Sequence, residues 1–206
     1  MKTCEYDGEV LSLARSHPWT DAVASSGFRY YDLRSSPALI RTSLEDFVPW
    51  SRYPAVERFY ALLEWLNGAK SPLESNDCEF TAPHPQTSAR SRKSLECSGR
   101  VMVLFRDLAR NLSPRALPAL TNAFHAALAP ADPLFEFGVV GTTLVPVRYV
   151  TLPGPDEARL GSQLMISFWA WGDTEAESMM NLDRLMKNLA RALRDAATRG
   201  GTKGGR

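Results

Sequence analysis

The sequence predicts an α+β fold: a mostly antiparallel sheet with helices packed on one face and a long helix toward the C-terminus. Three observations predict it. Gln163–Leu193 has the pattern of an apolar strand, a tight turn and a long capped helix that folds back on that strand. Arg100–Arg106 (RVMVLFR) is apolar on both faces, as a central strand is. The C-terminal half runs strand, helix, three strands, helix, so neighbouring strands can pair antiparallel while the helices share a face.

The 206 residues suffice for one domain, expected over 1–198, with 1–45 as its less regular N-terminal part. Residues 1–27 show weak periodicity and predict a short helix or an irregular lead-in. Phe28–Leu33 (FRYYDL) predicts a strand, followed by a Ser-Ser-Pro turn and a short segment over Ala38–Thr42. Pro54–Asn67 is a helix: proline fits its first position, and Val56, Phe59, Tyr60, Leu63 and Leu66 make one apolar stripe. Gly68 is the expected stop after it.

Cys78–Thr81 predicts a brief strand, and Ala82–Ser94 (APHPQTSARSRKS), rich in Pro, Ser and Arg, an exposed loop. Ser113-Pro114 starts a helix carrying Leu117, Leu120, Phe124 and Leu128 and stopped by Pro130, with Pro118 as a possible later start. Phe135–Val140 and Thr143–Leu152 predict neighbouring strands across Gly141-Thr142, and Pro153–Asp156 predicts a turn.

In the last strand Leu164, Ile166, Phe168 and Ala170 alternate with Met165, Ser167, Trp169 and Trp171. Its two tryptophans share a face and are expected under the helices as core. Thr174 and Glu177 have capping-box spacing. Met179, Leu182, Leu185, Met186, Leu189 and Leu193 make the apolar stripe, with Arg184, Lys187, Asn188, Arg191 and Arg194 opposite. Burial of that stripe and the entropy of ordering the helix are opposed and similar in size, so helix and sheet must stabilise each other. Arg199–Arg206 (RGGTKGGR) is expected to be a disordered tail.

Composition excludes some functions. A 44% hydrophobic and 23% charged chain is globular, and a net charge of +1 argues against a whole-surface nucleic-acid binder. Three scattered cysteines, Cys4, Cys78 and Cys97, make no disulfide framework and suit a reducing compartment, the cytoplasm. The first residues lack the apolar core of a signal peptide, and no run reaches the length of a membrane span.

Catalytic chemistry finds little footing. His17, His84 and His125 have no sequence-evident partner, and no metal or cofactor motif appears. Asp77 and Glu79 flank Cys78 and push its thiol pKa the wrong way for a nucleophile. Acidic groups recur at Glu74, Asp77 and Glu79, at Asp156 and Glu157, and at Asp173, Glu175 and Glu177. They are either solvated or, if they converge in the fold, the makings of a carboxylate-based enzyme site. The basic loop Arg90-Ser91-Arg92-Lys93 could touch nucleic acid, as RGG-like tails sometimes do, but the loop lacks aromatic residues for stacking. Trp50 and Arg52 (VPWSRYP) are of types enriched in protein–protein contacts.

Five segments together carry a resemblance: PWSRYPAVERFYALLEWLNG, ESNDCEF, GRVMVLFRDL, GVVGTTLVPVRY and SFWAWGDTEAE. Over roughly residues 45–195 the chain resembles bacterial toxin-immunity proteins, in particular the immunity family numbered fifty-two. That family is associated with polymorphic nuclease toxins, some delivered by type VI secretion. The resemblance implies a small cytosolic, non-enzymatic protein that binds a cognate toxin and occludes or distorts its active site. It carries no inhibitory motif to transfer. Because a nuclease site is electropositive, Glu74, Asp77 and Glu79, taken as loop-borne acids, are the first candidates for contact, then Asp156 and Glu157. Trp50 and Arg52 complete the set. The oligomeric state is left open.

Overall fold

A computed structural model describes residues 1–5, 15–18, 32–86 and 91–201. The elements are β1 (Lys2–Glu5), β2 (Arg15–His17), α1 (Leu39–Thr42), α2 (Pro54–Asn67), β3 (Leu73–Pro85), β4 (Leu95–Phe105), α3 (Ala116–Leu128), β5 (Gly138–Tyr149), β6 (Leu160–Gly172) and α4 (Glu175–Gly201). Single 3₁₀ turns lie at Val48–Trp50, Leu108–Leu112 and Glu157–Arg159. The sheet order is β1-β5-β6-β4-β3, with β2 also on β5. β3, β4, β6 and β5 pair antiparallel, while β1 and β2 run parallel to β5. Helices α2, α3 and α4 pack on one face, as the α+β reading expects.

Register explains which residues face them. Val101, Val103 and Phe105 of β4 and Leu164, Ile166, Phe168 and Ala170 of β6 join the core with the α4 stripe, all of it buried. Gly99 must be glycine here: a Cβ would stand 2.5 Å from the Phe168 ring and 2.4 Å from the Glu79 carbonyl oxygen. Trp169 and Trp171 alternate with Phe168 and Ala170, so they lie on the face away from the helices, not under them. Trp171 is nonetheless buried, its indole N–H donating to Glu96 Oε2 at 2.7 Å.

The long elements form where periodicity places them, and corrections gather at the strands. β3 runs thirteen residues and continues through Pro85, so residues 82–85 belong to the strand and not to the expected 82–94 loop, of which 87–90 lie outside the described residues. Pro83 and Pro85 are tolerated because β3 is an edge strand among the described residues, paired there with β4 alone and irregular between Thr81 and His84. Gly141-Thr142 is no hairpin turn: β5 is continuous, and Gly141 pairs with Ser167. Among the described residues, the β1 pairing reaches Thr142 and the β2 pairing starts at Val147, so neither ladder uses Pro146. The true β5–β6 turn is at Pro153–Asp156, where Gly154 has a φ of +120°.

Leu39–Thr42 is a single helical turn. The strand expected at Phe28–Leu33 lies mostly outside the described residues. Gly68 ends α2 in extended backbone (φ −72°, ψ 153°), so the stop works without the left-handed conformation. At the start of α4, Thr174 Oγ1 accepts from the Glu177 N–H at 3.1 Å, but the Glu177 carboxylate reaches back to the Asp173 N–H at 2.8 Å, one residue beyond the reciprocal cap. α4 extends to Gly201, past the point where a disordered tail was expected; residues 202–206 lie outside the described residues.

Candidate functional site

Of the acids singled out in the sequence as contact candidates, Glu74, Asp77, Glu79 and Asp156 each meet a cation, and only Glu157 has no ion pair among the described residues. Glu74, Asp77 and Glu79 are not loop-borne. A register shift between Ser75 and Asp77 keeps all three on the face of β3 away from the helices, opposite Leu104, Met102 and Arg100. Glu79 meets Arg100 at 2.7 Å and Asp77 meets it at 3.7 Å. Glu74 is buried and accepts from Arg34 at 3.0 Å, with His17 Nε2 at 3.4 Å.

His17 sits beside β5, four strand positions from β3, about 19 Å in a flat sheet. The sheet therefore curls at this end, and Glu74 ties its two edges together. Tyr149 lies within that curl, buried, donating to the Ser162 carbonyl at 2.6 Å. Burial first, and then the nearby Glu74 charge, push its hydroxyl pKa above the ordinary range.

Asp156 bonds Arg159 and lies 3.7 Å from Arg148; it and the exposed Glu157 occupy the β5–β6 connection, with β4 and β6 between them and the β3 acids. Trp50 is half-buried on the core and stacks on Tyr53 at 5.9 Å. The Arg52 guanidinium stands 5.0 Å over the Tyr53 ring and donates to Glu175 at 3.1 Å, while the Tyr53 hydroxyl bonds the same carboxylate. Trp50 and Arg52 thus brace the turn before α2 against the first turn of α4.

The other candidates are equally engaged. His84 Nδ1 lies 3.0 Å from the Ala82 carbonyl and His125 Nε2 lies 3.0 Å from Thr142 Oγ1. Burial, with Asp77 next, holds the Cys78 thiol far above its ordinary pKa. Lys93 bridges Asp173 and Glu177 at 2.7 Å each, and these bonds raise its pKa and lower theirs. Arg90 lies outside the described residues. No group of three or more His, Cys, Asp or Glu among the described residues could hold a metal ion, and no described helix is long and apolar enough to cross a membrane.

What stands out is a surface that the sequence pattern did not mark. Leu134 is 87% exposed, Met180 64% and Phe137 40%. Leu134 and Phe137 belong to the connection between α3 and β5, where Ala129, Pro130, Ala131 and Pro133 are also exposed.

This connection is firmly held. The Met1 amino group donates to the Ala129 and Asp132 carbonyls at 3.1 and 2.7 Å, and the Phe135 N–H donates to the Asp132 carbonyl at 3.2 Å. Arg184 of α4 grips the Asp132 carboxylate through two bonds of 2.5 and 2.8 Å and covers the buried Phe135 ring at 4.9 Å. At the other end Lys93, anchored on Glu177, lies 5.0 Å over the Phe137 ring. The segment thus follows one flank of α4 from Arg184 back to Glu177, and Met180 stands between those two residues on the helix. An apolar patch rimmed by ion pairs results.

Fold and site define a class: an α+β protein with one helix-covered sheet face and an apolar patch presented on a braced scaffold. Comparison with protein-family models, curated proteins and solved structures finds no match to this chain.

Proposed function

We propose that the chain is a non-enzymatic inhibitor of the immunity type, which binds a cognate protein toxin through the Leu134–Phe137–Met180 patch. One observation carries the reading: a leucine side chain is held 87% in water on a connection fixed at both ends. Exposed apolar side chains cost solubility, and preorganising them reduces the entropy lost on association. An apolar centre with a charged rim is the anatomy of a protein-binding hot spot. The immunity resemblance supplies the kind of partner.

Glu74, Asp77, Glu79 and Asp156 are already neutralised within the chain, so the apolar patch is a better anchor than phosphate mimicry. The same engagement weighs against a carboxylate enzyme built on those four acids, since a general acid or base must be free to meet substrate. The test is co-expression with the product of the adjacent gene. Rescue of growth and a complex that survives purification are expected, with both lost in Leu134→Asp/Met180→Asp. No rescue and no complex overturns the inhibitor; a complex insensitive to that variant but lost in Glu79→Lys/Asp156→Lys moves the contact to the acids.

A further inference from the structure

The outward line of α4 is Ala176, Met180, Arg184, Lys187 and Arg191, spaced three or four residues apart and exposed in every case. Met180 to Arg191 spans about 16 Å at the helical rise. The line thus begins in the apolar patch and ends in cations. The acids at the other end of the helix are matched: Asp173 and Glu177 by Lys93, Glu175 by Arg52. The cations are matched less well. Arg184 is held by Asp132, but Arg191, its side chain 80% exposed, has only Asp195 at 4.0 Å, and Lys187 has no ion pair among the described residues.

We infer that this face selects an acidic partner: a protein segment whose apolar side chains cover Leu134 and Met180 while its carboxylates meet Lys187 and Arg191. The inference rests on the patch being a protein-binding surface and names the charge of what it binds. Complementary charge would raise the association rate and exclude basic competitors. A nucleic acid fits less well. Asp132 and Asp195 interrupt the cations that a phosphate backbone would track, and an exposed leucine gives a base nothing to stack on. A toxin held here would be gripped on an acidic surface, away from an electropositive phosphate-binding cleft.

The full chain, isotope-labelled, is titrated with two helical peptides of identical leucine pattern, one carrying glutamates and the other lysines, and with a short DNA duplex. The glutamate peptide should shift the Leu134 and Met180 methyl resonances and bind about tenfold more tightly than the lysine peptide at low salt, the difference shrinking as salt rises. Lys187→Glu/Arg191→Glu should invert the preference, and Leu134→Asp should weaken both peptides. Equal binding of the two peptides, absence of shifts at Leu134 and Met180, or tighter binding of the DNA overturns the inference. A co-purified toxin complex without peptide discrimination overturns the acidic partner alone. Discrimination without a toxin complex overturns the immunity reading alone.

Discussion

Leu134 and Glu74 mark opposite extremes of exposure, and each is costly unless something compensates. Glu74 is a carboxylate at 4% exposure, compensated by Arg34 and by His17 from the far edge of the sheet. Glu74→Gln removes the charge and should lower unfolding free energy by about 1–3 kcal/mol, read from urea denaturation, by weakening its bond to the Arg34 guanidinium and its contact with His17. Asp132 acts beneath Leu134, and its bonds to Arg184 hold its carboxyl below the usual range. A carboxyl depressed in the folded state stabilises above its unfolded pKa and ceases to as pH falls through the folded one. The Tm gap between the parent and Asp132→Asn should therefore be widest near neutrality and close as the solution is acidified; a constant gap would refute the pairing. Sequence could name Glu74 but not its burial, because its partners arrive from positions 17 and 34. It passed over Leu134 because a lone leucine after Pro-Ala-Asp-Pro has no periodicity to reveal which side faces water.

Among the elements, α2 and α4 were legible because their apolar residues recur at a helical period and their starts carry Pro54 and Thr174. Leu185 is fully buried under the sheet, so Leu185→Asp should abolish the cooperative unfolding transition seen by circular dichroism; unchanged melting would refute the core assignment. β3 and β5 were less legible. Pro83, Pro85 and Gly141-Thr142 carry local turn signals, which lose to long antiparallel ladders with β4 and β6. The same ladders give Gly99 its role. Its Cβ space is filled by the Phe168 ring and the Glu79 carbonyl, so Gly99→Ala should cost about 1–3 kcal/mol in chemical denaturation although alanine suits extended backbone at least as well.

At the scale of the whole molecule, stability and binding should separate. The sheet, α2 and α4 hold the fold, while Leu134 and Met180 project from it. Leu134→Asp/Met180→Asp should change unfolding free energy by no more than about 0.5 kcal/mol per site yet weaken partner binding by about 2 kcal/mol or more, measured by calorimetry on the purified complex. A large loss of stability would instead make these side chains part of the core. The sequence by itself determined the α+β class, the helical stripes and the central apolar strands, because periodicity is a local property of the chain. Only the tertiary structure decided that the acids of β3 are spent on Arg34, His17 and Arg100, that the tryptophans face away from the helices, and that Leu134 joins Met180 on one surface. Each of those facts depends on which distant residues the sheet register brings together. For the long apolar strand and capped helix of Gln163–Leu193, local pattern was enough to reveal the scaffold, and the packing of the α3–β5 connection along its flank made the exposed surface.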